Sequence, residues 1–161
     1  MKNLTTPIVI FILLISCQFH SFKETDFHKA FILGTDVDTL LPVLESSSDS
    51  VKQFRYSGEV AAPFTTQTQI DCYGFEVFGK KRKVEFLFND GPLGHIWVLI
   101  EKEEIELITQ ELEKHCGEIV HEQDGKKVFR SGTVAIQNNP PEILIATPEL
   151  ITAIMGYSPK R

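Results

Sequence analysis

The stretch from Ile70 to Ile100, which reads IDCYGFEVFGKKRKVEFLFNDGPLGHIWVLI, decides the fold. Its first two thirds alternate apolar and polar residues, as strands do when they bury one face. Turn residues interrupt the alternation at 79–81 and again at 89–92. The final segment, 95–100, is apolar at nearly every position, which is typical of a strand covered on both faces. The stretch therefore predicts a three-stranded antiparallel meander whose third strand lies near the centre of a sheet.

Helix and strand patterns continue on both sides of this meander. The segment Glu103–Cys116 has apolar residues at helical spacing, and Gly117 after it is a helix stop signal. Thr147 followed by Pro148 predicts a short helix to about Met155. A short helix is also predicted from about residue 35 to the serine-rich loop at 46–50, and further strands at 118–121, 126–130, 133–137 and 142–146. Residues 51–68 are extended and loop-rich, which favours an edge strand or a loop.

These elements together predict an α+β fold. We expect an antiparallel sheet of about five to seven strands, with a central amphipathic helix packed on one face and short flanking helices. The chain has 161 residues, which fits a single domain, and we place that domain at residues 35–161.

Composition excludes several classes of protein. The chain is 42% apolar and 24% charged, which is ordinary for a globular protein and excludes wholesale disorder and collagen. Its formal net charge is −6, whereas a general nucleic-acid binder needs a basic face. We therefore expect no nucleic-acid partner.

The N-terminal segment, MKNLTTPIVIFILLISC, has the pattern of an export signal. Lys2 gives it a positive start, and a continuous apolar run covers Pro7–Ile15. That run is too short to span a bilayer, which takes roughly 20 residues. The end of the run, Leu14-Ile15-Ser16-Cys17, resembles the lipobox of bacterial lipoproteins. The alternative is ordinary cleavage near Ser16 or Ser21, with no role for the cysteine.

The lipobox resemblance implies a membrane anchor for the mature chain. It makes residues 1–16 a signal peptide, Cys17 the lipidated first residue, and residues 17–34 a tether carrying that cysteine. Several acyl chains hold a protein firmly on a membrane. Gln18 stands where an aspartate marks inner-membrane retention in some bacteria, so its presence favours the outer membrane. The expected location is the bacterial envelope, facing the periplasm or the exterior.

Two cysteines, Cys72 and Cys116, remain in the predicted domain. In an oxidising compartment they are candidates for a disulfide, which the meander and the following helix would have to bring together. The alternative is two buried thiols that behave as small hydrophobic side chains. A third interpretation makes Cys116 a catalytic nucleophile paired with His115 or His121.

No catalytic, cofactor-binding or metal-binding motif is present in the sequence. The three histidines of the domain lack a zinc-ligand spacing, so we predict neither a metal nor a cofactor. The basic run Lys80–Lys83 favours a solvated turn, with a patch for anionic ligands as the alternative. The sequence leaves the question of enzymatic activity open and inclines against it.

The most specific hypothesis for binding concerns the third strand of the meander. His95, Trp97 and Leu99 alternate along one of its faces, and tryptophan is a frequent anchor of protein interfaces. We predict a non-catalytic envelope module, an accessory or inhibitor protein, with these three residues as its partner surface. The alternatives are a small cysteine hydrolase and a structural lipoprotein that associates with itself.

Overall fold

Eight strands form one antiparallel sheet in the computed structural model, which describes residues 32–58 and 64–157. The strands are β1 Ser50–Ser57, β2 Thr66–Val77, β3 Lys80–Asn89, β4 Leu93–Leu99, β5 Ile119–Gln123, β6 Lys126–Phe129, β7 Val134–Asn138 and β8 Pro141–Ala146. Their order across the sheet is β1-β2-β3-β4-β8-β7-β6-β5. Two four-stranded meanders therefore meet where β4 pairs with β8, and β1 and β5 are the two edges.

Three helices cover parts of the sheet. They are α1 Val37–Ser47, α2 Ile105–Cys116, which a 3₁₀ turn at Lys102–Glu104 precedes, and α3 Pro148–Met155. α1 contacts β1 and β2, α2 contacts β6 and β7, and α3 contacts β6, β7 and β8. None of these described helices has the length and apolar character needed to cross a membrane.

Alternation along the strands assigns the helices to opposite faces of the sheet. α1 and α2 share the main core with residues such as Phe86, Val98 and Ile143, all fully buried. α3 packs with a smaller set that includes Leu144 and Ala146, the neighbours of Ile143 and Ile145 along β8. Successive strand residues point to opposite faces, so α1 and α2 lie on one face and α3 on the other. We call these the main face and the second face.

The predicted architecture of five to seven strands under one central amphipathic helix is wrong. The sheet has eight strands, since residues 50–57 form a complete strand instead of a loop-rich segment. The helix that was expected to be central packs mainly on the β6–β7 side, and α1 covers the β1–β2 side of the same face. The order of the helices along the chain does not show which strands each helix covers. The pairing of β4 with β8 determines this, because it joins the two meanders into one sheet.

Individual elements follow the sequence patterns closely. The meander is confirmed as β2, β3 and β4, with β4 in the interior of the sheet. Gly117 ends α2 with a φ of 80°, and its N–H bonds to the carbonyl of Glu113. Thr147 accepts a hydrogen bond from the N–H of Leu150 at the start of α3. The predicted signal peptide, the lipobox and the tether as far as residue 31 lie outside the described residues.

Candidate docking surface

Among residues 32–58 and 64–157, the edge strand β1 finds a strand partner for only half of its backbone groups. It pairs with β2 along its whole length, and the register continues to Gly58, whose N–H bonds to the carbonyl of Thr65. Hydrogen-bonded pairs alternate in antiparallel sheets, so the even residues of β1 bond to β2. On the other side of β2, the N–H of Asp90 bonds to the carbonyl of Thr66, so the even residues of β2 bond to β3. The odd residues of β2 therefore bond to β1, and their partners in the register are the even residues of β1. The N–H and C=O groups that point away from the sheet belong to Val51, Gln53, Arg55 and Ser57.

The two edges of the sheet differ in the features that discourage further pairing. Natural edge strands are usually short, bulged, interrupted by proline or protected by charged side chains, of which β1 has only Lys52 and Arg55. β5 has five residues, and its pairing with β6 shifts register between Ile119 and His121. β1 has eight residues, contains no proline, and pairs with β2 without a shift. β1 is therefore the long, regular edge to which another strand can add.

The side chains of β1 add an aromatic pair and two cations. Phe54 and Tyr56 are 40% and 43% exposed and lie on the second face, about 7 Å apart along the strand. Lys52 lies on the same face, with its Nζ 5.3 Å from the ring centroid of Tyr73. Arg55 is exposed on the opposite face. Neither cation forms an ion pair within the described residues, and β1 contains no acidic residue.

Beside this edge, the second face carries a polar network whose charges are already paired. The carboxylate of Asp71, only 4% exposed, accepts hydrogen bonds from Gln69 at 2.7 Å and from the Tyr73 hydroxyl at 3.3 Å. Lys83 contacts Asp71 at 2.7 Å and Glu85 at 2.6 Å. Burial lowers the pKa of Lys83, but its hydrogen bonds to Asp71 and Glu85 outweigh burial, so the pKa is raised. Asp71 lies opposite Lys52 in the register, but its oxygens are occupied by these donors.

The basic run at the β2–β3 hairpin is neutralised by acidic partners. Lys80 contacts Glu104 at 2.6 Å, and Lys81 contacts Asp49 at 2.6 Å. Arg82, which is buried, donates to both carboxylate oxygens of Glu104 at 2.6 and 3.0 Å. With Lys83 also paired, all four cations have carboxylate partners. The run therefore fastens β3 to the start of α2 and to the loop before β1, and it offers no free patch of positive charge.

The three residues predicted as a partner surface lie together on β4, on the second face. His95 is buried, its Nδ1 is 3.2 Å from Nδ2 of Asn89, and burial lowers its pKa to about 4. Trp97 meets the His95 ring edge-to-face at 6.5 Å and packs partly against the α3 core. Leu99 is half-buried opposite Glu142. Of these three side chains only His95 is buried and the other two are partly exposed, whereas the most exposed aromatic side chains of the described residues, Phe54 and Tyr56, are on β1.

The two cysteines are free thiols in the structure. Cys72 is on β2, and the carbonyl of Cys116 accepts a hydrogen bond from Ser131, just after β6. In the strand order, β2 and β6 are five spacings apart, or about 24 Å at about 4.8 Å per spacing. A disulfide needs Cα atoms within about 7 Å, so this fold cannot form the bridge considered from sequence.

The surroundings of Cys116 differ from those of a catalytic thiol. Burial raises the pKa of Cys116, and a hydrogen bond from Ser131 opposes this only in part. Nucleophilic cysteines usually have a lowered pKa beside a cation. His121 lies on the second face, where its ring contacts Tyr157 with centroids 5.3 Å apart, while Cys116 packs on the main core. Within residues 32–58 and 64–157, no three His, Cys, Asp or Glu side chains are grouped as a metal site would need.

Comparisons with known proteins give no further lead to the chemistry. No protein-family model, no curated protein and no solved structure matches the chain. The geometry of β1 is therefore the evidence for what this surface binds. Sequence reasoning missed Phe54 and Tyr56: their i, i+2 spacing around Arg55 is compatible with a strand, but the segment lacks the polarity contrast that marks one.

Proposed function

We propose that this protein is a non-catalytic binding module of the bacterial envelope. In this proposal the chain is exported and carries lipid on Cys17. The lipid holds the protein on the outer membrane, where it faces the periplasm or the exterior. The domain acts as an accessory or inhibitor subunit that holds a protein partner at β1. The lipobox-like segment supports the anchoring, and the shape of the edge strand supports the binding.

One observation carries the binding proposal. β1 combines four outward N–H groups, four outward C=O groups and two exposed aromatic rings on one eight-residue strand. Proteins usually protect such an edge, because it is a template for pairing with another chain. A known mode of recognition uses it: an extended segment adds to the sheet, with backbone bonds giving affinity and side chains giving specificity.

The two competing functions have less support in the same residues. A cysteine hydrolase needs a reactive thiolate, whereas burial raises the pKa of Cys116. Cys116 and His121 also lie on opposite faces of the sheet. Self-association through the apolar face of β4 needs that face exposed, whereas Ile96 and Val98 are fully buried in the main core and His95 is buried on the second face. Binding at β1 needs neither condition.

Site-specific photo-cross-linking in living cells of the native host tests the proposal. A photoreactive residue replaces Tyr56 in one variant and Leu107, which is 51% exposed on α2, in the matched control. We expect a discrete adduct from position 56, identified by mass spectrometry as a defined envelope protein, and none from position 107. Absence of an adduct at 56, or equal adducts at both positions, would contradict docking at β1.

Intact-mass measurement tests the anchoring separately. The protein is purified from host membranes, and its mass is compared with that of the chain beginning at Cys17. A mass larger by several acyl chains is expected. An unmodified chain beginning after Ser16 or later would remove the lipid anchor from the proposal and leave the binding surface untouched.

A further inference from the structure

We infer that the partner contributes an extended acidic peptide segment, which adds to β1 as a ninth strand of the sheet. This inference rests on the proposed function and specifies the chemistry of its partner. It follows from three features of β1: the direction of its free backbone groups, the sign of its unpaired charge, and the placement of its aromatic side chains.

The backbone groups set the conformation of the partner segment. Val51, Gln53, Arg55 and Ser57 present their N–H and C=O groups outward in the plane of the sheet. Only an extended chain places its own amide groups at the matching repeat of about 7 Å. A helix satisfies its amide groups internally and cannot bond to this row. The partner segment is therefore a strand of about eight residues.

The charges set the sign of the partner segment. Lys52 and Arg55 are exposed on opposite faces of β1 and have no ion-pair partner among the described residues. The neighbouring acidic groups are occupied, since Asp71 is held by Lys83 and Asp49 by Lys81. A strand laid beside β1 brings its side chains within cross-strand distance of both cations. Carboxylates at those positions are attracted, and lysines are repelled.

The aromatic residues set the apolar positions of the partner segment. Phe54 and Tyr56 follow Lys52 on the second face at alternate positions. Cross-strand pairs of aromatic with β-branched or aromatic residues stabilise sheets by roughly 0.2–1 kcal/mol each. The segment that fits places apolar side chains beside the two rings and acidic side chains beside Lys52 and Arg55. A second copy of β1 fits less well, because it brings two further cations to the same edge.

Two synthetic ten-residue peptides test this inference on the full chain. In one, the residues that would face Lys52 and Arg55 are glutamate, those that would face Phe54 and Tyr56 are valine, and the others are threonine; the other has lysine in place of each glutamate. Fluorescence anisotropy measures binding, and amide hydrogen exchange locates it. We expect the acidic peptide to bind at least tenfold more tightly than the basic one. Bound peptide should slow exchange at the amides of Val51, Gln53, Arg55 and Ser57.

Substitutions at Gln53 separate backbone pairing from side-chain contact. Gln53→Pro removes one outward N–H while leaving the bonds of β1 to β2 intact, since proline is tolerated where the N–H of an edge strand faces solvent. Gln53→Ala keeps that N–H and is the matched control. We expect the acidic peptide to bind the proline variant at least tenfold more weakly and the alanine variant nearly normally. The double variant Lys52→Gln, Arg55→Gln should lose the preference for acid while keeping the native thermal transition.

Several results would overturn the inference. They are failure of the acidic peptide to bind, equal binding of the two peptides, unchanged binding by Gln53→Pro, or slowed exchange away from β1. A cross-link from position 56 to a second copy, or to a glycan, would also reject the acidic peptide. If the peptide fails while position 56 still cross-links to an envelope protein, the docking surface stands and only the peptide chemistry is rejected. If both fail, the proposed function falls as well.

Discussion

Removal of Arg82 should destabilise the fold more than removal of any exposed charge. Its guanidinium donates two hydrogen bonds to Glu104 and one, at 3.0 Å, to the carbonyl of Val77. Both side chains of the ion pair are largely buried, at 5% and 12% exposure. Breaking a buried pair by removing one partner costs about 3–5 kcal/mol. Lys80 remains on Glu104 at 2.6 Å, so we expect Arg82→Ala to cost about 3 kcal/mol, the lower end of that range.

The pH dependence of stability gives an independent measure of this pair. Hydrogen bonding from Arg82, opposed by burial and assisted by Lys80, lowers the pKa of Glu104 from 4.5 to about 2. A depressed folded-state pKa contributes stability above pH 4.5, and that stability is lost as the pH falls from 4.5 towards 2. Protonation of Glu104 removes the carboxylate that Arg82 needs, so the cost of Arg82→Ala should fall as the pH drops through this range.

Urea denaturation and thermal melting at pH 7 and pH 3 provide the assay. One kcal/mol shifts the melting temperature of a domain of this size by about 4 °C, so Arg82→Ala should melt about 12 °C lower at pH 7. At pH 3 the difference from the native chain should shrink. Arg130→Ala is the matched control, because Arg130 pairs with Glu118 at the exposed surface and should change stability very little. Equal losses for the two variants, or a loss independent of pH, would refute the reasoning.

Three further predictions concern the core and the titrating groups. Phe86→Ala should lower the free energy of unfolding, measured in urea, by about 3–5 kcal/mol, because Phe86 is fully buried. Tyr56→Ala should lower it by under about 1 kcal/mol, and equal losses would contradict the burial pattern. Burial lowers the pKa of His95 to about 4, so NMR should show a neutral His95 imidazole at pH 5.5. Because the pKa of His95 is lower in the folded state, the stability that depends on its neutral form is lost as the pH falls from 6.5 towards 4. A protonated ring at pH 5.5 would contradict this prediction. Burial raises the pKa of the Cys72 thiol to about 11, so iodoacetamide at pH 8 should label it only after denaturation.

Local patterns predicted local structure well in this chain. Alternation identified β2 and β3, because apolar and polar residues take turns along them, and the continuous apolar run identified β4 as an interior strand. The stop at Gly117 and the cap at Thr147 identified the ends of α2 and the start of α3, since backbone geometry at a helix terminus limits the residue types. These signals depend on a few neighbouring residues and do not require knowledge of the rest of the fold.

The features that depend on the sheet as a whole were not predictable in this way. β1 buries neither face fully, so SVKQFRYS lacks the polarity contrast that marks a strand, and its exposed aromatic pair was missed. The pairing of β4 with β8 joins residues about 50 positions apart in sequence and has no local signal. The strand order that results separates Cys72 from Cys116 and divides the helices between the two faces. The expected architecture was wrong because no local pattern in the sequence indicates that pairing.

Residue-resolved amide exchange along β1 tests the central claim most directly. In the isolated protein we predict slow exchange at Lys52, Phe54 and Tyr56, whose N–H groups bond to β2, and fast exchange at Val51, Gln53 and Arg55. Binding of the envelope partner found by cross-linking should slow the second group and leave the first unchanged. Uniform protection along β1 in the isolated protein would mean that this edge is already covered. That result would contradict docking at β1.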